Sequence, residues 1–405
     1  MVRRATNVSR PRIMAVAGLL SIVAACPCSG REISGRQLFS GETVVPKGET
    51  WKVLPGAEIR FRGGKWTVRG NLHVEGTEAR PVRIAGDEAF DGIDVRGEAG
   101  ARVRYAVLSG GRRGIQVTNA SAELRDVRFK NNGIGLDVGQ YAKVRVERCV
   151  FEGNTRVGVL VKRGGAAEIA ESRFSGAAKA GVYAYGADNV SLRDCRFERN
   201  GTGIQAGMAG ARVRVVKSIF RGNGVGILAE KTASPEVSDS EVAANGTGFL
   251  FTRRAEGTVT GCRIEGNGTG ARVEFSSYPV FRGNVFRGNR DAAVRLRHQS
   301  SEWEGEATEG DREGASGQGA PFGPGGGLRR DFRPWEGAGG AASKGGPPGK
   351  RGGLTGTVDF RGNDWGELQP QVDRGGIVTG IHDARVEPSF EYNGRMYRMD
   401  TVLLK

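Results

Sequence analysis

The sequence predicts an all-β solenoid, a single chain wound into a parallel β-helix of about twelve coils. Three observations carry this. An apolar anchor recurs at Phe129, Phe151, Phe174, Phe197, Phe220, Val242, Ile264 and Phe286, in steps of 22 or 23 residues. An asparagine stands three positions after seven of these eight anchors, from Asn132 to Asn289, with Ala177 in the one gap. Between anchors the apolar residues alternate, as in Val144-x-Val146 and Val213-x-Val215, which is the period of strands and not of helices. A unit this short has no room for a crossover helix, so each must return its chain one strand spacing further on, about 4.8 Å. Each coil then buries its inward residues only against its neighbours.

The first residues read as an address. Arg3, Arg4, Arg10 and Arg12 precede an apolar run from Ile13 to Ala25 that is too short to span a bilayer, so residues 1–25 are expected to be a secretory signal peptide. Val23-Ala24-Ala25-Cys26 resembles a bacterial lipobox, which would make Cys26 a lipidated N-terminus; ordinary cleavage after Ala25 is the competing reading. Pro27 in place of Asp implies, by resemblance to known lipoproteins, the outer membrane, with the chain facing the periplasm or the cell surface. A soluble periplasmic or secreted protein is the alternative. Residues 26–38 are expected to be a tether.

Residues 39–366 are expected to form the solenoid. The opening runs Val53-Leu54-Pro55-Gly56-Ala57-x-Ile59-x-Phe61, Leu72-x-Val74-x-Gly76-Thr77, Pro81-Val82-x-Ile84 and Gly92-Ile93-x-Val95. This order resembles the first coils of bacterial right-handed parallel β-helix repeat proteins. The closing Gly362-Asn363-Asp364-Trp365-Gly366, then Ile381-His382-Asp383 and Val386-Glu387-Pro388, resemble the usual ending of that group. The group mixes sugar-binding proteins, polysaccharide lyases and hydrolases, adhesins and periplasmic copper-locus accessory proteins. The resemblance therefore implies a right-handed solenoid and no single activity.

Within a repeat, the asparagines are expected to occupy a left-handed corner and to bond amide to amide along the stack. The interior column two positions before the anchor reads Tyr105, Val127, Cys149, Ser172, Cys195, Ser218, Ser240, Cys262, Asn284. Cys149 and Cys195 would lie two coils, about 9.6 Å, apart, too far for a disulfide, so they are read as small buried apolar residues. With no Cys-x-x-Cys pair and only His73, His298 and His382 in the chain, no metal and no cofactor is expected.

After Leu296 the rhythm stops, and residues 298–355 read as a disordered Gly-rich insertion. Its Trp303, Phe322, Phe332 and Trp335 are unusual for a linker and suited to docking. The anchor is expected to return at Phe360 with Asn363 at the same offset. That is 74 residues after Phe286, one 22-residue coil plus 52 inserted residues. Residues 367–405 read as a C-terminal cap over the open strand edge, with a hairpin turning at Asn393-Gly394.

The net charge is +15, and removing residues 1–25 takes away four Arg and no acid, leaving +11. Such charge favours an acidic polysaccharide or envelope component; no nucleic-acid motif is present. Arg and acid alternate in the columns one and three positions before the anchor, which reads as a solvated face. A second outward column runs Gln116, Asp137, Leu160, Tyr183, Gln205, Leu228, Leu250, Arg272 and Arg295, with Lys162 and Tyr185 two residues further along their strands, and its Leu160, Tyr183, Leu228 and Leu250 read as an exposed apolar strip. Either the insertion covers it, or Tyr183 and Tyr185 stack on sugar rings while Asp137, Lys162 and Gln205 bond hydroxyls. The dense acid cluster Asp87 to Glu98 contains Asp91 and Asp94, the pair to consider if a glycosidase dyad exists; solvated turn acids are the plainer account. The functional expectation is a monomeric, non-catalytic envelope protein with a binding or structural role. The alternatives are a polysaccharide lyase or hydrolase and an accessory protein of an envelope transport or maturation system.

Overall fold

The computed structural model describes residues 30–307, 356–366, 371–372, 378–379 and 389–404. Strands join in one continuous sheet that winds as a parallel solenoid of about twelve turns. Each regular coil contributes three strands, such as Lys143–Glu147, Val150–Glu152 and Val157–Lys162. Each strand pairs in parallel with its counterpart one coil away, giving three faces, here the first, second and third sheets.

The anchors fall in register from Phe129 to Phe286. Phe129, Phe151, Phe174, Phe197 and Phe220 stack with ring centroids 4.7–4.9 Å apart and planes within 6°. That separation is the inter-strand distance itself, so the rings meet because the backbone ladder sets their pitch.

The asparagine ladder forms inside. Asn223 Oδ1 accepts from the Asn200 main-chain N–H at 3.0 Å, and the pattern repeats through Asn245, Asn267 and Asn289. The asparagines themselves do not take the left-handed corner. The residue before each does, with φ of 53° at Asn131, 60° at Gly153, 53° at Arg199 and 54° at Ala244. Asparagine is chosen here because one amide both accepts and donates along the stack, not for its backbone tolerance. A second ladder runs two positions before the anchor: Cys149 and Cys195 N–H donate to the Ser172 and Ser218 hydroxyls, and Cys262 N–H to Asn284 Oδ1. The thiols are free and buried, and burial pushes them up to about 12 for Cys149 and about 11 for Cys195 and Cys262. Tyr105 does not belong to this column. Ala106 pairs with Val127 there, and Tyr105 takes the corner before it with φ 45°.

Three boundaries differ from the sequence expectation. Strands begin at Glu32–Ile33 and Arg36–Val45, inside the stretch read as tether, because the aromatic cluster of Phe39, Trp51, Phe61 and Trp66 closes the first coils. Cys26 and the expected signal peptide lie outside the described residues. The front of the insertion is ordered: helix Ser301–Glu306 is capped by Ser300 and buries Trp303 against Phe275, Phe390, Tyr392 and Tyr397. Phe322, Phe332 and Trp335 lie outside the described residues.

The register of the final coil is the third difference. Phe360 stacks on Phe281 at 4.5 Å and not on Phe286, and Asn363 Oδ1 accepts from Asn284 N–H, which continues the cysteine–serine ladder. Trp365 then stacks on Phe286 at 4.8 Å and closes the anchor column. The insertion therefore adds 57 residues, since Phe360 follows Phe281 by 79 and a coil takes 22. Phe-Arg-Gly-Asn occurs at both 281–284 and 286–289, and the position of the tryptophan breaks the tie. Strand Thr401–Leu403 pairs with Thr357–Asp359 as a last parallel rung. Hairpin Ser389–Tyr392/Arg395–Arg398 turns at Asn393-Gly394, both at positive φ.

Candidate functional site

The third sheet places the predicted ligand residues together on its outer face. Its outward column runs Asp94, Gln116, Asp137, Leu160, Tyr183, Gln205, Leu228, Leu250, Arg272, Arg295. Lys162 and Tyr185 are neighbours in the next column. The strip is not exposed, however. Leu160 is 2% exposed and Tyr183 4%, and Asp137 and Gln205 are buried with them. Stacked neighbours do the covering: Ile134, Val157, Leu160, Ala180 and Tyr183 form one cluster with Tyr185 against it, and Val225, Leu228 and Leu250 another. A residue in a parallel coil meets a side chain directly above and below, so an apolar column shields itself.

Asp137 is the centre of the polar end. Its carboxylate is bracketed by Arg113 Nε at 3.1 Å and Lys162 Nζ at 2.9 Å. A charge this buried is tolerable only when paired. Arg156 lies close enough that burial first, then the repulsion of Arg113, holds its guanidinium below the ordinary range. Beside them Lys179 Nζ sits 4.5 Å from the centre of the Tyr183 ring, a cation–π contact. Burial lowers Lys179 to about 8 against the pull of Glu230. Burial, with Glu230 and Tyr185 beside it, raises the Tyr183 phenol. Gln205 Nε2 donates to Glu230 Oε1 at 2.6 Å. Tyr183 and Tyr185 meet edge to face at 5.8 Å. Gly207 leaves the space the Tyr183 ring uses, since a Cβ there would stand 3.2 Å from Cε2. Four cations, two carboxylates and two phenols thus converge. Lys162, Tyr185 and Arg113 reach solvent; Asp137, Tyr183 and Gln205 position them from beneath. Arg113, Arg156 and Lys179 were missed in sequence because they sit in other columns of the repeat, and Glu230 because it lies two coils beyond Tyr185 in the Lys162 column.

Asp91 and Asp94 share a coil but not a partner. Asp91 is exposed and pairs with Arg112 at 3.3 Å, while the buried Asp94 is held by Arg96. Each carboxylate is thus engaged by its own arginine. The first sheet carries a shallow groove of about 470 Å³ lined by Asn71, His73, Arg102, Lys143, Arg145 and Glu168. Its charges pair across coils, as in Arg102–Glu123 at 3.2 Å and Arg145–Glu168 at 3.0 Å. The corner columns do likewise, as in Arg148–Asp126 at 2.8 Å. Exposed pairs of this kind contribute about 0–1 kcal/mol each, so these faces are solvated charge. Among the described residues no group of three or more His, Cys, Asp or Glu is placed to hold a metal ion.

No curated protein matches this chain in sequence. Among solved structures it is similar to the mannuronan C-5 epimerase A-module of Azotobacter vinelandii, with 14% identity over 60% of this chain and 83% of that one and a TM-score of 0.34. An alginate lyase from a Paenibacillus species matches with 14% identity over 60% and 92% and a TM-score of 0.27. A double-mutant tailspike protein of E. coli bacteriophage HK620 matches with 13% identity over 64% and 61% and a TM-score of 0.27. Scores this low carry nothing about activity. The sequence profile described as the right handed beta helix region matches residues 91–242 and 208–304, together more than half of the chain. The chain belongs to the right-handed β-helix family.

Proposed function

We propose that this protein is an exported, lipid-anchored envelope protein that binds an acidic polysaccharide without cleaving it, through Lys162, Tyr185 and Arg113 on the third sheet. The observation that carries the reading is the cluster around Asp137, where Arg113, Arg156, Lys162 and Lys179 outnumber Asp137 and Glu230 beside a partly exposed tyrosine. The mature-chain charge of +11, from +15 less the four arginines of residues 1–25, supports it. A cationic rim with an aromatic face suits a chain of uronate rings: the cations meet carboxylates and the ring face meets C–H bonds.

The test is binding and product release measured together on polygalacturonate, alginate and neutral dextran. Saturable, salt-sensitive binding of the acidic polymers, weakened about tenfold by Lys162→Ala and unchanged by Arg214→Ala on the first sheet, would support the reading. Absence of binding would overturn it.

The second reading is a lyase acting on the same polymer class, and Lys179 is the specific observation that favours it. A lysine lowered to about 8 beside a buried phenol is partly unprotonated under mildly alkaline conditions and able to accept a proton. Release of unsaturated products that disappears in Lys179→Met would establish this reading in place of the first.

A further inference from the structure

The first coil leaves the solenoid open at its N-terminal end. Among the described residues, strand Arg36–Val45 pairs on one side only, with Glu58–Val68, and Glu32–Ile33 pairs only with Thr50–Val53. A free edge of this kind invites another chain. Its inward positions, however, are not those of a core cut open. Gln37 and Thr43 stand in the columns of the buried Ile59 and Trp66. A second copy stacked on this coil would bury a side-chain amide and a hydroxyl against apolar residues, which is costly. The end is finished for contact with a polar surface.

Cations and apolar side chains ring that end. Of the four large apolar side chains exposed among the described residues, two lie in strand Arg36–Val45: Leu38 at 58% and Val44 at 37%. Residues 30–70 hold eight Lys or Arg against four Glu, a net +4 and more than a third of the +11 that remains after residues 1–25 are removed. Arg31, Arg36, Lys47, Lys52, Arg60 and Arg62 are all exposed there. Apolar residues set among cations suit the interface of an anionic bilayer, where the apolar side chains enter the headgroup boundary and the cations meet lipid phosphates. The covalent reach of the chain agrees. Strand begins at Glu32, so an acyl anchor at Cys26 leaves residues 27–29 before Gly30, a span of at most about 14 Å.

We propose that the first coil, through Leu38, Val44 and the cations around them, docks on an anionic phospholipid surface and stands the solenoid on the membrane by its N-terminal end. The nearness of the bilayer rests on the lipid-anchor reading; the chemistry of the docking surface does not. The third-sheet column runs Val44, Thr67, Asp94, Gln116, Asp137. Docking therefore holds the Asp137 cluster four strand spacings, roughly 19 Å, beyond the coil that touches lipid.

The test uses the full chain in two forms, as expressed and as Cys26→Ala, which has no thiol to carry the lipid. Cys26→Ala is expected to sediment with vesicles of phosphatidylglycerol, not with those of phosphatidylcholine, and to be released by salt. Adding Leu38→Asp and Val44→Asp, both at exposed positions, is expected to weaken that binding at least about tenfold, with circular dichroism as the check on folding. For the anchored chain in phosphatidylglycerol vesicles, amide hydrogen exchange across Arg36–Val45 is expected to slow at least about fivefold relative to Cys26→Ala in solution, with hairpin strand Arg395–Arg398 unchanged. No binding of Cys26→Ala, binding unmoved by the two aspartates, or slowing shared equally by the hairpin overturns the proposal. Slowing that rises with protein concentration in the absence of vesicles, with a doubled mass, assigns the edge to a second copy and overturns it too. A mass showing no acyl group on Cys26 overturns the anchor reading alone, because Cys26→Ala tests the surface without the lipid. Lys162→Ala is expected to leave vesicle binding intact, so the polysaccharide reading fails or stands separately.

Discussion

Asn223→Ala is the sharpest perturbation of the fold. The Asn223 side chain, 2% exposed, makes four hydrogen bonds. Its Oδ1 accepts from the Asn200 main-chain N–H and Nδ2, both at 3.0 Å, and its Nδ2 donates to Phe197 O and Asn245 Oδ1, both at 3.0 Å. Truncation does not strand all four partners. Asn200 Nδ2 keeps Phe174 O, and Asn245 Oδ1 keeps the Asn223 N–H. The Asn200 N–H and the Phe197 carbonyl lose this partner in a buried site. At about 1–3 kcal/mol for each stranded group, the expected loss is about 4 kcal/mol. Urea denaturation followed by circular dichroism reads it as a lower midpoint at unchanged slope. The converse substitution sits two coils up the stack. At Ala177 the ladder has no amide, and Asn200 Oδ1 accepts only the Ala177 N–H there, at 3.0 Å. Ala177→Asn would offer Asn154 the acceptor its counterparts have, with an expected gain of about 1 kcal/mol. A loss below about 1 kcal/mol in Asn223→Ala would refute the argument that the ladder, and not the apolar stack beside it, secures the corners.

Three further outcomes are expected. Trp365→Ala should uncover Phe286 and lower stability by about 3 kcal/mol, read in the melting temperature together with a rise in aggregation as the strand edge opens. His298, pressed between Phe275 and Phe390, is lowered to about 4 by burial and then by Arg297. The unfolded chain takes up its proton first as pH falls from 6.5, so stability is full above 6.5 and is lost on the way down to about 4. For a half-buried group the loss is about 2 kcal/mol, and His298→Phe should flatten the pH dependence of hydrogen exchange in the cap hairpin; an unchanged slope would contradict the burial argument. Cys149, Cys195 and Cys262, raised by burial, should resist a thiol-specific reagent at mildly alkaline pH until the chain unfolds, when they react. Labelling of any of them in the folded state would contradict their interior placement.

The period was legible because a solenoid gives every coil the same environment at the same offset. The Phe129-to-Phe286 column, the asparagine ladder and the Asn393-Gly394 hairpin all follow from spacing and residue type. The candidate site was legible only in part. Asp137, Tyr183 and Gln205 were placed on the correct face, since strand alternation points them outward, but alternation does not say whether outward means exposed. Their burial comes from Leu160, Lys179 and Glu230 in neighbouring coils, more than twenty residues away or in a different column.

The sequence by itself determined the coil, its length, its interior and its stack, because each is a repeated local choice of residue. The tertiary structure alone decided three other things. Phe360 followed Phe281 and not Phe286, because Trp365 had to find a ring to cover. Trp303 docked on the C-terminal hairpin and not on the apolar strip. Arg254 took Glu304 of the helix as its ion-pair partner, fifty residues along the chain. Each depends on contacts between segments that no period relates, and such contacts are settled by packing and charge only once the coils are stacked.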